Sequence, residues 1–319
     1  MRLISLCPIA LVAGFSLFTS HFSTSHFSLP QERPTFRAES ELVVLHVSVR
    51  DRGGRYVKGL DREAFTVIDD GQPQTIELFS SEDVPASVGL LIDNSNSMWP
   101  SRDRVVTAAV EFIEHSHPGD EIFVTTFNET VRQAWGPSVM GDIDPVKFRT
   151  AMSESIAARG MTAIYDARLD GLQRVSHGTH TRRVLIVVSD GDDNASAARE
   201  DDVITRLRES DAMVYSVVLI DPLMRDGDAK FLKRVAKLTG GEAHDPRRPD
   251  KIGESFERIA RDIRSAYTLA YAPAHGASHD EHERRRRPVQ VYVRSKDGRA
   301  LSVRARDGYY EKARESIQR

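Results

Sequence analysis

The chain has 319 residues, 40% hydrophobic and 29% charged, with 44 Lys and Arg against 47 Asp and Glu and a formal net charge of −3. That length allows about two domains of ordinary size, and the near-balanced charge excludes a protein built mainly to grip nucleic acid. With 20 Gly and 14 Pro the chain is neither collagen-like nor wholly disordered, and a single cysteine, Cys7, excludes an intramolecular disulfide and any cysteine-built zinc site.

The first element in chain order is an address. Arg2 precedes an apolar run over residues 4–18, broken by Pro8 and Gly14, and small polar residues follow at Thr19, Ser20, Ser23 and Ser25. This order predicts a secretory signal peptide over 1–25, cleaved after Ser25. The run is about 15 residues, short of the ~20 that span a bilayer. The expected protein is therefore exported, periplasmic or extracellular, and free of thiols once Cys7 leaves with the leader. Residues 26–39, polar and punctuated by Pro30 and Pro34, read as a linker.

From residue 40 to 84 the pattern is β. Leu42, Val44, His46 and Ser48 alternate with Val43, Leu45, Val47 and Val49, which predicts a strand apolar on one face and mixed on the other. Asp51, Gly53 and Gly54 mark a turn, Tyr56 and Val57 a possible next strand, and residues 65–68 before Asp69, Asp70 and Gly71 a hairpin to which 75–79 returns. A unit of about 40 residues is small to stand alone.

Residues 85–265 alternate strand and helix. The apolar runs 88–92, 121–127, 184–188 and 213–220 read as strands, with 131–135 as an antiparallel neighbour of the second. Helical spacing marks 101–115, 148–156, 163–175, 203–207, 230–238 and 252–263. The tail, 266–310, returns to β at 266–271, 289–293 and 301–305, and 311–319 is a polar end. The expected architecture is a doubly wound, mostly parallel α/β sheet inserted between short β segments that pair in space as a small antiparallel β domain.

Ligand sites in such sheets lie beyond the carboxyl ends of the strands. After 88–92 come Asp93, Ser95 and Ser97; after 184–188 come Asp190 and Gly191; between them Thr162 opens a helix. Two carboxylates and three hydroxyls on one sheet edge make a hard oxygen site suited to Mg²⁺ or Mn²⁺. Taken singly, the same residues equally serve as turn formers and helix caps.

In its three-part motif (Asp93-x-Ser95-x-Ser97, Thr162, Asp190-Gly191) the chain resembles von Willebrand factor A (VWFA) domains and their metal-ion-dependent adhesion site. The flanks also resemble the bacterial VWFA-related family typical of Acidobacteria, through Gly59-Leu60, Phe65, Asp69-Asp70-Gly71, Tyr267, Tyr271 and Arg306-x-Gly308-Tyr309. The resemblance implies that Ser95 and Ser97 ligate the cation through their hydroxyls, Thr162 directly or through water, while Asp93 and Asp190 hold coordinated waters and orient the serines. It further implies an open coordination position that a partner's Asp or Glu completes, hence an exported, adhesion-type protein-binding module whose last helix is able to shift on binding. Trp99, just after the first loop, either rims this position for the partner or packs into its own domain.

Two other readings use the same residues, a metal-assisted hydrolase and a structural envelope protein. No nucleophile elbow, phosphate-binding Gly-rich loop or catalytic thiol supports an enzyme. Asp190, Asp192, Asn194 and Asp201 imitate a calcium loop but place Ala195 where the turn needs Gly. His275, His279 and His282 have zinc-like spacing in a polar loop. The basic run Arg284, Arg285, Arg286 and Arg287 reads as a solvated loop rather than a contact with a polyanion or a membrane surface.

Overall fold

The computed structural model describes residues 42–310 except 158, 221–228, 247, 274–284, 296–297 and 299. The signal peptide over 1–25, the linker over 26–39, the polar end over 311–319, and His275, His279, His282 and Arg284 lie outside the described residues. Among the described residues no helix is long and apolar enough to cross a membrane.

The chain opens with four strands, β1 (Val43–Arg50), β2 (Phe65–Asp69), β3 (Gln72–Gln74) and β4 (Leu78–Ser80). The α/β unit follows: β5 (Ala86–Asp93), α1 (Arg102–His115), β6 (Glu121–Phe127), β7 (Val131–Val139), α2 (Pro145–Ser155), α3 (Ile164–Ser176), β8 (Arg182–Ser189), α4 (Glu200–Glu209), β9 (Met213–Val218), α5 (Ala229–Thr239), β10 (Ala243–His244) and α6 (Ile252–Ser265). The chain then returns to β as β11 (Tyr267–Tyr271), β12 (Arg286–Val293), β13 (Ser302–Arg304) and β14 (Gly308–Tyr310).

The central sheet has the order β10-β9-β8-β5-β6-β7, with β7 antiparallel to β6 and every other neighbour parallel. β5 and β8 are buried along nearly their whole length, because helices cover both faces. Val105, Phe112, Phe148, Phe256 and Ile259 of α1, α2 and α6 pack on one face. Ile164, Leu172, Val203, Leu207 and Leu232 of α3, α4 and α5 pack on the other. This explains why these strands read as continuous apolar runs rather than alternating ones.

The two β flanks do pair. β1 runs antiparallel to β11 from Val43 opposite Tyr271 to Val47 opposite Tyr267, in a sheet ordered β13-β1-β11-β4. A second sheet, β14-β12-β2-β3, shares one core with it through Leu45, Val47, Tyr267, Leu269, Phe65 and Val67. The expected hairpin forms between β2 and β3, and its turn residues Asp70 (φ 50°) and Gly71 (φ 79°) both take the left-handed conformation that a two-residue hairpin turn requires.

Two local expectations are corrected. Residues 78–80 do not return to the hairpin but cross to β11. Tyr56 makes only an isolated bridge to Arg50 instead of starting a strand. On the mixed face of β1, His46 and Ser48 are buried. Ser48 donates to Asp262 of α6 at 2.6 Å, and Asp262 also accepts from Tyr215 of β9 at 2.7 Å and pairs with Arg304 of β13. These polar residues join the β layers to the α/β unit.

The basic run is corrected as well. Arg287 is buried in β12 with its guanidinium on Asp69 at 3.0 Å, Arg285 pairs with Asp70, and Arg286 pairs with Asp307. The described members of the run thus pair with acids of the β layers instead of forming an unpaired solvated loop. The spacing of charges along one strand gives no view of acids arriving from the neighbouring strands.

His46 carries a pH consequence. Its Nδ1 lies 3.3 Å from Thr268 Oγ1, and burial, helped by the charges of Arg182, Arg306 and Arg183, lowers its pKa to about 3. The unfolded chain therefore binds a proton near pH 6.5 that the folded chain refuses until about pH 3. Stability from this residue is complete above pH 6.5 and is lost as the pH falls toward 3, at about 1.4 kcal/mol per pH unit. Urea unfolding across that window is expected to show a shallower acid loss for His46→Asn than for the wild type; equal slopes would contradict it.

Candidate functional site

The strand order reverses between β5 and β8, since β5 leads through α1 to β6 on one side while β8 and β9 extend the other. At such a switch point the loops leaving adjacent strands diverge and open a crevice. Asp93 is the last residue of β5, and Asp190 directly follows β8. Thr162 lies just before α3, in the loop from α2.

Asp93 is fully buried. Its Oδ1 accepts the Ser95 N–H at 2.9 Å and its Oδ2 accepts the Ser189 hydroxyl at 2.6 Å. Burial pushes the Asp93 carboxyl up to about 6; the hydrogen bonds from Ser189 and Ser95 pull it back in part, and the charge of Asp190 raises it further. Asp190 is therefore near enough for its charge to act on Asp93.

Ser95 is buried and Ser97 is exposed, with 3.1 Å between their hydroxyl oxygens. Thr162 is buried, with its N–H on Asn194 Oδ1 at 2.8 Å and its carbonyl accepting the N–H groups of Asn194 and Ala195 at 3.0 Å each. The five residues marked in the sequence thus stand on three loops at one sheet edge, four of them buried and Ser97 exposed.

Several residues that build this edge were not marked by the sequence. Ser189 holds Asp93 and accepts the Gly191 N–H at 2.9 Å; a polar residue at the end of an otherwise apolar strand is the signal that identifies it. Asn96 and Gly160 bond reciprocally, Asn96 N–H to the Gly160 carbonyl at 3.1 Å and Gly160 N–H to Asn96 Oδ1 at 3.2 Å, tying the first loop to the second. Gly160 has φ 88°, and a Cβ there would collide with the carboxylate of Glu129, which accepts the Met161 N–H at 2.7 Å. Only glycine satisfies both demands.

Of the residues that imitate a calcium loop, Asn194 holds Thr162 and Asp201 lies within α4. Beside Asn194, Asp193 accepts the Ile164 N–H at 3.0 Å and the Ser196 hydroxyl accepts from Tyr165 and Asp166. They cap α3 and so set the position of Thr162. Among the described residues no group of three or more His, Cys, Asp or Glu gathers for a metal.

The donor set fits a small hard cation. Ligands at right angles in an octahedron of 2.0–2.1 Å bonds stand about 2.9 Å apart, close to the 3.1 Å between the Ser95 and Ser97 oxygens. Two neighbouring carboxylates, both buried, also favour a positive charge between them.

This architecture is a doubly wound α/β domain with an oxygen-rich edge at its switch point. Residues 88–192 match the family model of the von Willebrand factor type A domain, so this segment of the chain is of VWFA type. Among solved structures it is similar to a von Willebrand factor type A protein from Catenulispora acidiphila (13% identity, 83% of this chain and 73% of that one, TM-score 0.50). It is also similar to an aerotolerance-related membrane protein from Bacteroides fragilis (14% identity, 56% of this chain and 98% of that one, TM-score 0.42) and to the PilB minor pilin from Streptococcus sanguinis (10% identity, 58% and 63%, TM-score 0.46). No curated protein matches the chain.

Proposed function

We propose that this protein is an exported, divalent-cation-dependent protein-binding module, and that Asp93, Ser95, Ser97, Thr162 and Asp190 hold Mg²⁺ or Mn²⁺ to capture an Asp or Glu of a protein or peptide partner. The observation that carries the reading is the make-up of the site: Asp93, Ser95, Thr162 and Asp190 buried at one sheet edge, with the Ser95 hydroxyl 3.1 Å from that of the exposed Ser97. The cation supplies a Lewis-acidic point charge that attracts a carboxylate; neutral hydroxyl ligands leave that charge largely uncancelled.

The chain's own residues do the positioning. Ser189 and the Ser95 N–H fix both oxygens of Asp93, and the Asn96–Gly160 pair fixes the distance between the first two loops. Export rests on the order of Arg2, the apolar run and the small residues to Ser25.

A pull-down from envelope extract tests the function. Partners are expected to be retained in Mg²⁺ and released by EDTA, and Asp93→Ala is expected to retain none of them. The same partners on wild type, on the variant and in EDTA would leave a structural envelope role, and turnover of generic phosphate or ester substrates by the wild type would replace binding with hydrolysis.

A further inference from the structure

Of the large apolar side chains exposed among the described residues, two stand beside the site, Trp99 at 63% exposure and Met161 at 52%. Trp99 is two residues beyond Ser97, in the 3-10 turn Asn96–Ser101, which contains Pro100 and is correspondingly stiff. Met161 directly precedes Thr162, and its backbone is held by the Glu129 carboxylate at 2.7 Å. The reciprocal bonds between Asn96 and Gly160 join the two segments.

The apolar pair therefore does not belong to loosely hung loop tips. Two stiffened segments, cross-linked through Asn96 and Gly160, carry it next to the proposed ligands Ser97 and Thr162. Exposing Trp and Met there costs solvation that a docking partner recovers.

Arg159 adds a charge to the same edge. It is exposed, its N–H is held by the Asn94 carbonyl at 2.7 Å, and among the described residues it forms no ion pair. A cation beside an apolar pair complements a segment that is acidic and apolar at once.

We propose that Trp99 and Met161 are specificity-determining residues that select a partner segment in which the captured Asp or Glu has a large apolar side chain within two residues of it, with Arg159 favouring an acidic context. The proposal rests on the cation-dependent reading above. Trp99 covers apolar surface with few rotatable bonds and Met161 adapts to its shape, so the pair accepts aliphatic and aromatic neighbours alike.

The probe is a phage-displayed peptide library with a fixed Asp between three randomised positions on each side, selected on the purified chain in Mg²⁺ and eluted with EDTA. Wild type is expected to enrich Leu, Ile, Met, Phe or Trp severalfold at the positions flanking Asp. The Trp99→Ser, Met161→Ser double variant is expected to lose that enrichment while its eluted peptides still depend on Mg²⁺ and on the fixed Asp, as judged by Asp→Asn copies.

Apolar enrichment that is absent from the wild type, or unchanged in the double variant, would overturn the rim. Failure of the cation reading looks different: no EDTA-released peptide from either protein, or Asn copies binding as well as Asp, would overturn that reading and the rim with it.

Discussion

Protein stripped with EDTA and returned to Mg²⁺ at about 100 times its Kd is expected to melt about 4–5 °C higher, because saturation at that ratio stabilises the fold by about 2.7 kcal/mol and each kcal/mol moves a chain of about 300 residues by about 1.5–2 °C. In Asp93→Ala the rise is expected to vanish. The buried carboxylate both orients Ser95 and, with Asp190, supplies negative charge at the proposed site. Asp93 is buried, so its loss also lowers the melting temperature in EDTA; the diagnostic quantity is the difference between Mg²⁺ and EDTA within each protein. Ser97→Ala gives an independent arm, since Ser97 is exposed and supports no core packing. It is expected to melt like wild type in EDTA and to need a higher Mg²⁺ concentration for the same rise. A wild type indifferent to Mg²⁺, or an Asp93→Ala protein with the full rise, would remove the proposed cation site.

Asp69→Ala is expected to destabilise the chain by about 3–5 kcal/mol, the cost of breaking a buried ion pair from one side. Asp69 is fully buried at the end of β2. It accepts Arg287 Nε at 3.0 Å, Tyr271 OH at 3.0 Å and Tyr309 OH at 2.9 Å, so one carboxylate joins β2, β12, β11 and β14. Burial, together with that carboxylate, keeps both phenols well above their usual range, so they remain donors. Removal leaves a guanidinium and two hydroxyls inside the β core without their acceptor. Urea denaturation measures the loss, and a change below about 1 kcal/mol would show that water replaces the carboxylate. The Mg²⁺-induced rise in melting temperature is expected to survive in this variant, because Asp69 belongs to the β layers and not to the sheet edge that carries Asp93.

The helices and strands of the α/β unit were legible because their patterns report local burial. The run 184–188 is apolar throughout because helices cover both faces of β8, and 252–263 has helical spacing because one side of α6 meets α1 and the sheet. The five residues of the proposed site were brought to one sheet edge, as their order after strong strands led one to expect. Residues whose partners lie far along the chain were not legible. His46 and Ser48 look like a solvated face until Thr268 and Asp262 are brought against them, at sequence separations of 222 and 214. Arg287 looks like part of a charged loop until Asp69 meets it across β2 and β12.

The same division holds for the opening arithmetic. A near-balanced charge already argues against a protein built mainly to grip nucleic acid, and the order of Asp93, Ser95, Ser97, Thr162 and Asp190 already points to a family, because both depend on residue type and spacing alone. Only the tertiary structure decides where the charges go. Arg285, Arg286, Arg287 and Arg304 are spent on Asp70, Asp307, Asp69 and Asp262 inside the chain, while Trp99 and Met161 are left facing solvent beside Ser97 and Thr162. Pairing and exposure depend on what the fold brings within a few ångströms, which no count or spacing along one chain contains.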